Sequence, residues 1–168
     1  MILFSLVASA VAAEPSWSTH SIGEVSVSLP GTVEHRSDEH SMFIGRFLSE
    51  SQVSKIDGAW FAATVVTPPS AIMALSPTSS VLNEARKSIL KDTVGHQEKA
   101  SAIEEEGRPK GTHVSFTTTK DTGELQLGVS EIYATDQQVY TLTVVRHPSV
   151  SAAVVEQFFA EIRWSRHE

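Results

Sequence analysis

The chain has 168 residues, 40% of them hydrophobic and 20% charged, with a formal net charge of −7 and no cysteine. This suits one domain that buries its own core, and it excludes intrinsic disorder, a disulfide scaffold, thiolate metal sites and a thiol nucleophile. The acidic balance excludes a nucleic-acid binder, which needs a basic patch to neutralise phosphates.

Residues 1–13 carry no charge and open on an apolar run, Ile2-Leu3-Phe4-Ser5-Leu6-Val7-Ala8, that relaxes into Val11-Ala12-Ala13. Small side chains at that point are what a signal peptidase reads, so residues 1–13 are expected to be a signal peptide and 14–168 a single mature domain. No Lys or Arg precedes the run. The segment is too short to span a bilayer as a helix, which needs about 20 apolar residues. A periplasmic or secreted protein without a stable membrane anchor is the expectation.

Period-two alternation then dominates. Val25, Val27 and Leu29 alternate with serines until Pro30-Gly31 closes the run, and Phe43 to Leu48 alternates in the same way. Ala59 to Thr67 is apolar on both faces, which predicts a strand covered on both sides and ended by Pro68-Pro69. The period changes at Val81, where Leu82, Ala85, Ile89, Leu90 and Val94 form a helical stripe. Ser79 or Ser80 is the expected N-cap and Gly95 the expected left-handed terminator. Strand patterns return at Lys99 to Glu105, Thr112 to Thr119, Leu125 to Ala134 and Val139 to Arg146. Short links between the last three allow hairpins but not parallel crossovers. A last helix starts near Ser149 or Ser151 and buries Val154, Val155, Phe158, Phe159 and Ile162. The fold class is α+β: a largely antiparallel sheet of about six or seven strands flanked by helices.

Candidate sites follow from residue chemistry. Glu34-His35-Arg36-Ser37-Asp38-Glu39-His40 is a polar cluster read as a loop; folding His35 onto His40 would offer two imidazoles to zinc or copper, while Arg36 opposes a cation. His113 with Ser115 or Ser130 would make a nucleophile pair, but Gly128-Val129-Ser130-Glu131-Ile132 lacks the second glycine of a nucleophile elbow. Glu104-Glu105-Glu106 runs into Gly107-Arg108-Pro109-Lys110-Gly111; on a strand, Glu104 and Glu106 would share a side, and with Arg108 and Lys110 they form a candidate binding surface. Neither a phosphate-loop nor a dinucleotide-binding glycine pattern is present, and no cofactor is expected. Trp60 and neighbouring aromatics would line an apolar pocket or serve as core.

The order of these features resembles the PsbP-like superfamily over about Val25 to Trp164: a strand ending in Pro30-Gly31, the helix around Ala85-Arg86, the turn Gly107 to Gly111, Ile132-Tyr133 before Tyr140-Thr141-Leu142-Thr143-Val144, and a terminal helix with Phe158-Phe159 running into Ile162-Arg163-Trp164. That superfamily includes photosystem II PsbP proteins, a yeast nuclear-import factor that binds the Ran GTPase, and exported bacterial DcrB-like and LpqN-like proteins. The resemblance implies an α-β-α sandwich and an accessory or binding role, with no catalytic residue to carry across. The absent cysteine departs from its lipoprotein members. The expected function is a non-enzymatic exported domain that binds another exported or envelope protein, through a sheet face or through Val33 to His40 and Glu104 to Gly111. A small-ligand or metal-binding role is the alternative, and a hydrolase comes last.

Overall fold

The computed structural model describes residues 15–42, 45–120 and 122–165. The expected signal segment and Phe43-Ile44 lie outside these residues. Ten strands and three helices run in the order β1 (Trp17–Ile22), β2 (Val25–Pro30), β3 (Val33–Met42), β4 (Gly45–Ile56), β5 (Ala59–Thr67), α1 (Ser70–Leu75), α2 (Thr78–Asp92), β6 (His96–Ile103), β7 (Gly111–Thr119), β8 (Leu125–Ala134), β9 (Val139–Arg146), α3 (Ala152–Ala160) and β10 (Arg163–Trp164) among the described residues.

Seven strands form one antiparallel sheet in the order β3-β4-β5-β9-β8-β7-β6, and β1-β2-β10 form a second, three-stranded sheet. Two-residue turns at Gly23-Glu24 and Asp57-Gly58 place glycines at φ 55° and 71°, in the left-handed region where a side chain is strained. Gly23 meets a second constraint, because an added Cβ would lie 2.6 Å from the Tyr140 hydroxyl.

Alternation divides the core into two layers. On one face of the large sheet, Phe61, Ala63, Val65, Tyr140 and Leu142 pack against Val25, Val27 and Leu29 of β2 and against Phe158 and Ile162. Phe61 is fully buried and meets Trp17 and Phe158 edge-on, with ring centroids 5.9 and 5.6 Å apart. On the other face, Leu82 of α2 packs on Val114, Phe116 and Ile132, joined by the half-buried Val81, Ala85, Ile89 and Leu90. Gly128 stands opposite Phe116 in the β7–β8 register, and a Cβ there would fall 2.3 Å from the Phe116 ring.

Several elements differ from their sequence reading. Val33 to His40 is not a loop but most of β3, paired along its whole length with β4. Its backbone hydrogen bonds hold it as an edge strand, so no apolar alternation marks it. β1, α1 and β10 carry too few buried side chains to show a period, and β10 is only two residues long. Helix α2 begins after Pro77 without a side-chain cap, so neither Ser79 nor Ser80 serves. Val94, not Gly95, takes the positive φ of 51°, is largely exposed and leaves the stripe. Gly95 is needed for a different reason, because an added Cβ would meet Leu90 at 2.8 Å and Phe116 at 3.0 Å. The last helix agrees with its reading: Ser151 Oγ accepts from Ala153 N at 3.2 Å, and Phe158 is fully buried.

Two substitutions probe these layers. Phe61→Ala should cost about 3–5 kcal/mol by removing a ring that cannot be replaced by solvent. Gly128→Ala should cost about 1–3 kcal/mol by overpacking Phe116. Denaturant unfolding followed by circular dichroism measures both; a Phe61→Ala cost below about 1 kcal/mol would contradict the layering.

Candidate functional site

The two faces of the large sheet are not covered equally. The three-stranded sheet lies over β4 and β5 on one side, and Gln52 Nε2 there donates to Ser21 O at 2.8 Å. On the other side, among the described residues, α2 packs chiefly on β7, β8 and β9, which leaves space beside it over β3, β4 and β5. A groove of about 650 Å³ occupies that space. Strand alternation supplies its floor: Trp60, Ala62, Thr64 and Val66 of β5 point here because Phe61, Ala63 and Val65 point to the opposite core. Phe47 and Ser49 of β4 extend the floor, and Val81, Ala85 and Ile89 form the helical wall.

Among the described residues, the charged side chains that line this groove, Asp38, Glu84 and Asp92, have one sign. Glu84 is partly neutralised by Lys87, whose Nζ lies 2.7 Å away, and Asp92 accepts from Ser88 Oγ at 3.4 Å. The C-terminus of α2 adds the negative end of its dipole beside Asp92. A second groove of about 640 Å³ shares Trp60 and Thr93 with the first but is lined by Lys55 and Lys120. Lys120 is 3.4 Å from Glu124.

The expected polar sites are arranged differently. His35 and His40 both belong to β3, where their backbones pair with Gln52 and Phe47 of β4. Glu104, Glu105 and Glu106 follow the end of β6, so strand alternation does not pair Glu104 with Glu106. Glu104 and Lys110 line a groove with Arg86 beside the first half of α2, whereas Glu106 lines another with Glu24 and Trp164. Arg108 turns toward the protein, with Nη1 3.1 Å from Glu105.

His113 and Glu131 are cross-strand partners on β7 and β8, with Nδ1 and Oε1 3.7 Å apart. Tyr133 donates to the other Glu131 oxygen at 2.6 Å. Burial raises the Tyr133 pKa well above the ordinary phenol value, reinforced by Glu131, while nearby Arg108 pulls the other way. Ser130 lies on the opposite face from His113, because it pairs with Val114. Its hydroxyl is fully buried, 2.8 Å from Thr143 Oγ1 and donating to Leu142 O at 3.2 Å. That hydroxyl is a core hydrogen-bonding group, out of reach of the imidazole. Ser115 shares the His113 face two positions along.

Tyr140 is the second buried phenol. It accepts from Glu24 N at 3.0 Å and donates to Gln138 Oε1 at 2.5 Å, and burial raises its pKa as well. These two residues are all the tyrosine in the chain. Unfolded tyrosine ionises near pH 10, where both folded phenols still hold their protons. The unfolded chain therefore binds fewer protons above about pH 10, and stability falls as pH rises through that region. Ultraviolet titration should show tyrosinate only together with loss of structure; a phenol titrating near pH 10 in the folded protein would disprove this placement.

No protein-family model and no curated protein matches the chain. Among solved structures, the solution structure of cyanobacterial PsbP (CyanoP) from Synechocystis is similar, with a TM-score of 0.55 and 10% identity over 93% of this chain and 96% of that one. A crystal structure from Bacteroides thetaiotaomicron aligns with a TM-score of 0.49 and 11% identity over 86% of this chain; this chain spans 46% of that one. At such identities the likeness concerns architecture, and the chain has a PsbP-like fold, as its sequence led us to expect.

Proposed function

From this PsbP-like fold with one sheet face half open, we propose that the chain is an exported, non-catalytic accessory domain that binds another envelope protein through the groove beside Trp60. The observation that carries the reading is the uncovered apolar floor of β4 and β5 next to α2. The partly exposed Phe47, Trp60 and Val66 on that face gain free energy when a partner removes them from water. The non-catalytic part is supported by Ser130, whose hydroxyl is committed to Leu142 O inside the core, away from His113. Export is supported by the apolar run from Ile2 to Ala8 and the small residues Val11-Ala12-Ala13.

Two experiments test the reading. A photo-crosslinking residue at Ser49, inside the groove, should give an adduct with one envelope protein in cells, while the same residue at Glu156 on α3 should not. Equal labelling from both positions, or none, would sink the groove as the binding surface. Mass measurement of the protein recovered from the cell envelope should give a chain beginning at Glu14; a form retaining residues 1–13 would contradict the signal reading.

A further inference from the structure

The groove has the dimensions and charge of a site for one particular kind of element. Neighbouring strands lie about 4.8 Å apart, so β3, β4 and β5 span about 10 Å, close to the diameter of one helix. Along its other axis the groove follows α2 from Val81 through Ala85 and Ile89 to Asp92, a rise of about 16 Å. This is the space that a second helix lying alongside α2 would fill to complete the layer. Trp60, Val66 and Ile89 give it apolar patches among the hydroxyl residues Ser49, Thr64 and Ser88, while Asp38 on β3 and Glu84 and Asp92 on α2 stand at opposite rims. Arg36 lies two positions from Asp38 but is held by Glu34 at 2.8 Å and does not line the groove.

Resting on the binding role proposed above, we infer that the groove takes an amphipathic helix of the partner whose apolar stripe is flanked on both sides by Lys or Arg. The stripe covers Trp60, Val66 and Ile89, and the flanking cations meet Asp38 on one rim and Glu84 and Asp92 on the other. Lysine and arginine stems also lie along apolar surface while their heads reach carboxylates, which suits a narrow groove with acidic rims. A neutral or acidic helix of the same shape would desolvate those carboxylates and offer Asp38 and Asp92 no cation. The arrangement is helix-in-groove recognition with the sheet as floor.

The test uses two synthetic peptides with one apolar stripe, flanked by Lys and Arg in the first and by Glu in the second. They are titrated calorimetrically into the protein as isolated from cells. The basic peptide should bind at least about tenfold more tightly, with affinity falling as salt is raised. Asp38→Lys with Asp92→Lys, both at exposed positions, should weaken it about tenfold or more, whereas Glu156→Lys on the far side should change it by less than about twofold. Binding should also shift the Trp60 emission, and Trp60→Phe should abolish that shift. Equal affinity for the two peptides, or basic-peptide binding that ignores the Asp38 and Asp92 reversals, would overturn the inference. So would self-association through the groove that the basic peptide fails to displace. A groove-specific crosslink to a partner segment that is not a basic helix would overturn the helix and keep the binding role, while loss of the groove-specific crosslink would remove the role itself.

Discussion

The antiparallel pairing of β5 with β9 joins two halves of the chain, from Ala59 opposite Arg146 to Val66 opposite Val139. It sits at the middle of the seven-stranded sheet, and both strands turn apolar side chains to both faces. Phe61, Ala63, Leu142 and Val144 serve the core shared with the small sheet, while Trp60, Val139 and Val145 serve the core under α2. Because side chains alternate strictly, a slip of one residue here would exchange the two cores at once. That constraint fixes the register of β4 and β8 on either side, and through them the edges β3 and β6.

From this centre the two faces are completed by different means. One receives a sheet and a helix, with Phe158 and Ile162 closing the gap between α3 and β2. Tyrosines anchor that closure at one end: Trp164 meets both Tyr133 and Tyr140 edge-on with centroids 5.1 Å apart, and Ser165 N donates to Glu24 O at 2.8 Å. Strand β10 and the β1–β2 turn are thereby tied to the middle of the large sheet. The polar ends of both rings are satisfied, by Glu131 for one and by Gln138 and Glu24 for the other, so burial costs them little.

The other face receives α2, seated over the far half of the sheet. Its seat is set by fit: Gly128 and Gly95 make room for the Phe116 ring, and Thr118 Oγ1 donates to Thr93 O at the end of the helix. With α2 fixed there, the β3–β5 half stays open among the described residues. The charged edge strand β3, with Glu34, Arg36, Asp38 and Glu39 exposed, discourages pairing with a stray strand. Edge protection and a groove that exposes part of Trp60 and Val66 thus occur side by side.

The sequence alone determined the elements whose own residues carry a strand or helix pattern. Alternation from Leu125 to Ala134 and Val139 to Arg146 marked β8 and β9, two-faced apolarity marked β5, and the helical stripe marked α2, because each period reports a local fact about one element. The same order of elements carried the resemblance to a PsbP-like fold. Tertiary structure decided what no local period records. Strands β1 and β3 are strands because a neighbour supplies their hydrogen bonds, and β10 forms only against β2. Glu104 and Glu106 are separated by the loop between two grooves. The groove itself depends on where α2 comes to rest, and that is set by steric fit among Phe116, Gly128 and Gly95, residues distant in sequence whose contact no alternation of polar and apolar positions can express.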